Sequence, residues 1–175
     1  MRYMWVFVSL AFIGCSGGDD ADPDLDEAGL LNAVPADEMA PAEPSPADST
    51  KAHITAVAAS ERAGGFNFSV TVLSPDLGCQ QYADWWEVLS QDGELLYRRV
   101  LLHSHVGEQP FSRTGGPVNI AADQTVWVRA HMNTSGYGGT AYTGSVQAGF
   151  QAAGLDSSFA PEVDGQPPLP TGCDF

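Results

Sequence analysis

The sequence predicts an all-β protein: an antiparallel two-sheet sandwich of about seven strands, preceded by a disordered acidic linker. Three observations predict it. Apolar and polar residues alternate in short runs, most clearly Phe66, Phe68, Val70 and Val72 against Asn67, Ser69 and Thr71, which is the period of a half-buried strand. Turn-forming clusters separate these runs at close spacing, among them Ser74 to Gly78, Gln91-Asp92-Gly93 and the glycine-rich 133–139. No segment carries a helical period.

The chain opens with Arg2 and an apolar run from Trp5 to Ile13. The run is too short to span a bilayer as a helix and suits the core of a secretory signal. It ends in Phe12-Ile13-Gly14-Cys15, which resembles the lipobox of bacterial lipoproteins, with Phe12 in place of the usual Leu. The resemblance implies that residues 1–14 are a signal peptide and that Cys15 is lipidated and becomes the mature N-terminus. Ser16 follows the cysteine where an Asp often marks retention at the inner membrane, so an outer-membrane or cell-surface destination is implied.

Residues 15–50 read as a tether. Between Ser16 and Thr50 there are ten acidic residues, no Lys or Arg, and repeated Pro and Ala. Such a segment has too little apolar surface to offset its ordering entropy, and its like charges extend it. Asp20, Asp22, Asp24 and Asp26 alternate like the start of a calcium loop. Leu25 and Leu31, however, stand where that loop needs a Gly and a bidentate Glu, so calcium is not expected there.

The net charge of −15 is concentrated at the ends. Residues 51–150 hold eight acids against six bases, and residues 151–175 hold four acids and no base. A nearly neutral domain offers no basic face, so nucleic acid is excluded as an expected partner. The membrane is expected to be met through the lipid anchor instead.

Residues 51–150 are enough for one domain with its own core. In order, strands are expected at 53–59, 66–72, 84–90, 94–103, 118–121, 125–132 and 140–146. Asp92-Gly93 between two β-rich runs signals a hairpin. The stretch 108–117, closed by Gly115-Gly116-Pro117, reads as a loop in which Arg113 and Gln109 could grip a ligand, or bond their own backbone. The order of strands, a Trp on the third strand and Trp127 to Asn133 on the sixth running into a glycine-rich loop resemble, loosely, an immunoglobulin or fibronectin type III domain. That resemblance implies that the third and sixth strands are neighbours and implies no activity.

With Cys15 lipidated outside the cytoplasm, Cys79 and Cys173 remain and an oxidising compartment favours their pairing. The loop closed spans 94 residues, for which chain entropy contributes roughly 4 to 5 kcal/mol. Its use would be to strap the irregular tail 151–175 along the domain.

Two constellations carry chemistry. On the third strand Trp86 and Val88 share one face and Trp85, Glu87 and Leu89 the other; on the sixth, Val126, Val128, Ala130 and Met132 point in and Trp127, Arg129 and His131 point out. Trp85, Glu87, Trp127 and Arg129, rimmed by Tyr137 and joined by Arg113, are then a ligand patch for a glycan or a protein partner, unless the tail packs over them. The second constellation is His103-Ser104-His105 with Glu108 nearby. Imidazoles at i and i+2 of a strand point the same way, and His131 could complete a zinc or copper site, with Glu108 or Met132 as a further ligand. His53 has no argued role. No Gly-x-Ser-x-Gly elbow, zincin helix, phosphate loop or dinucleotide fingerprint is present, so no enzyme and no cofactor are expected. The reading is a lipid-anchored envelope module for a glycan or protein partner, with zinc or copper binding as the alternative.

Overall fold

A computed structural model of the chain describes residues 49–174; the signal segment, Cys15 and most of the tether lie outside the described residues. Eight strands follow: β1 His53–Arg62, β2 Gly65–Leu73, β3 Ala83–Ser90, β4 Leu95–Val100, β5 Phe111–Val118, β6 Val126–Met132, β7 Ala141–Ser145 and β8 Gly149–Ala153. Every pairing is antiparallel. One sheet has the order β1-β2-β5 and the other β4-β3-β6-β7-β8. Among the described residues the only helical element is a single 3-10 turn at Pro161–Val163.

The core lies between the sheets and is drawn from the alternating positions. Phe68, Val70 and Val72 of β2 meet Trp86 and Val88 of β3 and Val126, Val128, Ala130 and Met132 of β6. Trp86 is wholly buried. Phe150 of β8 packs edge-on against Phe68, ring centroids 5.5 Å apart.

Two elements depart from the expected set. The segment 108–117 is not a loop: most of it is β5, paired to β2 from Val72–Phe111 through Phe66–Val118. The expected strand at 118–121 begins where β5 ends. Gly115 and Pro117 looked like turn chemistry, but β5 is an edge strand, where Pro is tolerated. A Cβ on Gly115 would stand 2.6 Å from Tyr97 Oη and 3.0 Å from the Trp86 ring, so that glycine serves close packing between the sheets. The second departure is β8, an additional edge strand that runs through the boundary placed at residue 150. With one large side chain it has almost no period to detect.

The hairpin signal at Asp92-Gly93 is a tight turn, with Gly93 at φ +89°. A Cβ there would also meet the Ala160 Cβ at 2.8 Å. The tail therefore already lies against the sandwich at that turn. Cys79 and Cys173 are joined by a disulfide, as the cysteine count predicts.

Candidate functional site

The expected patch assembles on the outer face of the five-stranded sheet. Register places Glu87 of β3 opposite both Arg98 of β4 and Arg129 of β6. Arg98 Nε donates to Glu87 Oε2 at 2.8 Å and Arg129 Nε donates to Oε1 at 2.8 Å. The carboxylate is fully buried, and its two oxygens are divided between two guanidiniums. One β3 position earlier on the same face, Trp85 is layered between Arg98, whose guanidinium carbon lies 4.4 Å from the ring centre, and His131, stacked at 3.8 Å and 5°. Trp85 Nε1 donates to Tyr137 Oη at 3.3 Å, and Arg129 covers the Tyr137 ring at 3.5 Å. Burial and the neighbouring Glu87 charge raise the Tyr137 pKa above its ordinary value.

This face is not open to solvent. The C-terminal segment crosses it from β6 to β4 and presents its backbone to the arginines. Arg129 donates to the carbonyls of Phe159 (2.6 Å) and Ala160 (3.4 Å). Arg98 donates to those of Val163 (2.6 Å), Gln166 and Pro168 (3.4 Å). Val163 is buried, and Asp164 Oδ1 lies 3.3 Å from His131 Nε2. The patch is thus corrected in one respect: Trp85, Glu87, Arg129 and Tyr137 are covered by the chain's own tail, and Trp127, half-buried beside Phe159 at 6.4 Å, is the member left at the margin. Arg113 belongs elsewhere, on β5, where it pairs with Glu108 at 2.8 Å; that contact holds the Glu108 carboxyl below the usual range.

Sequence reasoning placed Glu87 and Arg129 in one patch and missed Arg98. The signal was present. Counting outward equally from Asp92-Gly93 brings Glu87 opposite Arg98, the register that β3 and β4 adopt from Val88–Tyr97 outward, past a bulge at Leu89.

The imidazoles do not form the expected metal cluster. β4 ends at Val100, so His103 and His105 lie in a loop and the same-face rule for a strand does not apply. His103 is exposed while His105 turns inward and stacks on Phe111 at 3.7 Å and 11°. His131 is held on the other face by Asp84, Nδ1 to Oδ1 2.6 Å. Among the described residues no group of three His, Cys, Asp or Glu side chains converges to hold a metal ion. His105 has no hydrogen-bond partner at either ring nitrogen, and burial foremost, with the Arg113 charge, lowers its pKa. His53 Nδ1 accepts from the Thr140 backbone N–H at 3.0 Å. Gln109 bonds backbone on both sides: its Oε1 accepts from Ser74 N and its Nε2 donates to the His105 carbonyl.

No protein-family model matches the chain and no solved structure matches it. A protein of Halomicrobium mukohataei named "Putative lipoprotein" is 34% identical over 153 residues, covering 83% of this chain and 75% of the relative. The chain belongs to this lipoprotein family. The match is too long to rest on residues 1–50: it takes in much of the sandwich that carries Glu87, Arg98 and Arg129. Among the described residues of this lipoprotein no helix is long and apolar enough to cross a membrane.

Proposed function

We propose that this chain is a lipid-anchored interaction module of the cell envelope, displayed at the cell surface and binding a protein partner. Kinship with a lipoprotein supports the anchor, as do Arg2, the apolar run to Ile13 and the box ending in Cys15. In this reading residues 1–14 are removed, Cys15 carries the lipid, and the acidic tether links the sandwich to the bilayer. The strand order supports the immunoglobulin or fibronectin type III resemblance. Sheets β1-β2-β5 and β4-β3-β6-β7 follow the three-against-four plan of such domains, with β8 added at the edge.

The observation that carries the binding role is the grip on the tail. Two guanidiniums oriented by one carboxylate hold five main-chain carbonyls of the segment 159–168. A face that recognises polypeptide backbone favours a protein segment over a glycan as its ligand, and the half-exposed Trp127 extends it beyond the tail. Such an indole is a common anchor of protein interfaces.

The test has two arms. Cys15→Ser should move the protein from the membrane fraction to the soluble or secreted fraction; unchanged membrane association defeats the anchor. A photo-crosslinking side chain at position 127 should capture one discrete envelope protein whose binding Trp127→Ala weakens. Absence of any cross-link at 127, with cross-links elsewhere on the sandwich, defeats this face.

A further inference from the structure

The end of the sandwich from which the described chain emerges carries an apolar crest. Register brings together the start of β1 and the end of β2 (His53 with Leu73), the end of β2 and the start of β5 (Val72 with Phe111), the end of β4 and the start of β3 (Val100 with Trp85), and the end of β6 and the start of β3 (Met132 with Ala83). The loops 74–82, 101–110 and 133–140 therefore share one end. Leu77 is 74% exposed, Val106 52% and Leu102 48%. These are three of the four large apolar side chains left exposed among the described residues.

The crest is built rather than loose. Asp76, buried between the first two loops, accepts from Ser74 Oγ, Ala83 N and His105 N at 2.7 to 3.0 Å. Gly78 N donates to Ser104 Oγ at 3.1 Å, and Asp174 N donates to the Leu102 carbonyl at 2.6 Å. Leu77 and Val106 project from backbone fixed on both sides, so their exposure is a set feature of the surface.

Charge is polarised along the same axis. The far end carries Glu61, Asp92, Glu94 and Asp123 against Arg62, all exposed. At the crest end Glu108 is neutralised by Arg113 and Lys51 donates to the Ser135 carbonyl, with the exposed Asp174 as the acid that stands against Lys51 there.

The entry point of the chain selects the occupant. The Thr50 carbonyl accepts from Ser135 Oγ at 2.6 Å, and Asn133 bonds Tyr82 N and the Cys79 carbonyl, so the tether joins the domain at the crest end. Residues 15–48 number 34 and span at most about 110 to 120 Å. A lipid at Cys15 holds the domain within that reach, a local concentration at which a small apolar contact suffices.

We infer that this end docks on the surface of the bilayer that anchors the chain, with Leu77, Leu102 and Val106 entering the headgroup boundary and the acidic end directed outward. This rests on the lipid-anchor reading of Cys15. It sets the tail-covered outer face of the five-stranded sheet side-on to the membrane, with Trp127 at its margin.

The test uses the full-length chain isolated from membranes and reconstituted in phosphatidylcholine vesicles with brominated acyl chains. A Leu77→Trp reporter should be quenched relative to unbrominated vesicles, after subtraction of the parent chain's own tryptophans. Adding Leu102→Glu and Val106→Glu should abolish most of that quenching while the near-ultraviolet dichroism of the core persists. A reporter that stays unquenched on a chain still bound to vesicles overturns the docking and leaves the anchor standing. Quenching by a chain whose N-terminus carries no acyl group upholds the docking and removes the anchor. Self-association without vesicles that the two Glu substitutions abolish assigns the crest to a second copy and overturns the proposal.

Discussion

Arg98 Nε donates to Glu87 Oε2 at 2.8 Å with neither side chain reaching solvent. Arg129 holds the other oxygen of the same carboxylate, so one buried anion serves two buried cations. The cations spend their remaining donors on the tail. Glu87 therefore orients the two guanidiniums that hold the tail carbonyls of 159–168.

Glu87→Ala is expected to leave two guanidiniums buried without a counter-ion, at a cost of about 3 to 5 kcal/mol. The urea midpoint should fall accordingly. Arg98→Ala should cost less, because Glu87 keeps Arg129, and should instead free the tail at Val163 and Gln166. Faster amide exchange confined to residues 159–170 would check that; uniform acceleration over β3 and β6 would refute it.

Cys79→Ser with Cys173→Ser opens the loop of 94 residues. The chain-entropy treatment expects a loss of roughly 4 to 5 kcal/mol. The same loss should follow reduction of the parent chain by a thiol, and reduction should leave the double variant unaffected.

His105 fixes the sign of the acid response. Its pKa is lowered in the folded chain, chiefly by burial and then by Arg113 and His103, with Asp76 and Glu108 opposing. The unfolded chain binds that proton more readily, so stability is full above the ordinary imidazole value of about 6.5 and declines as pH falls below it. Chemical unfolding between neutral and mildly acidic pH should show this slope in the parent and a shallower one in His105→Leu, which keeps the apolar contact with Phe111. A slope unchanged in that variant would assign the acid response to another group.

Gly115→Ala tests the role of the edge strand. The added carbon would press on Tyr97 Oη and on the Trp86 ring, and overpacking of this kind costs about 1 to 3 kcal/mol. An unchanged thermal midpoint would mean that β5 can move away from the core.

The alternation in β2, β3 and β6 is written locally, because successive side chains of any strand point to opposite faces. It sufficed to place Trp86 in the core and to put Trp85, Glu87, Arg129 and His131 on the opposite side; that β3 lies beside β6 was implied by the resemblance to an immunoglobulin or fibronectin type III domain. The disulfide followed from the cysteines once Cys15 was assigned to lipidation, since the two thiols then left have one pairing. Edge strands were harder: β5 hides behind Gly and Pro, and β8 behind its shortness, because a strand paired on one side needs little apolar alternation.

What covers a face is a different kind of information. Nothing in the spacing of Phe159, Val163 or Pro168 declares that their carbonyls meet Arg129 and Arg98. Those contacts join residues up to 70 positions apart. They depend on the path the tail takes once Cys173 reaches Cys79. The histidines make the same point, since His103, His105 and His131 were close in chemistry but the end of β4 at Val100 sent the first two into a loop. Residue type and period are properties of a few neighbours along the chain; burial and partnership belong to the packed whole.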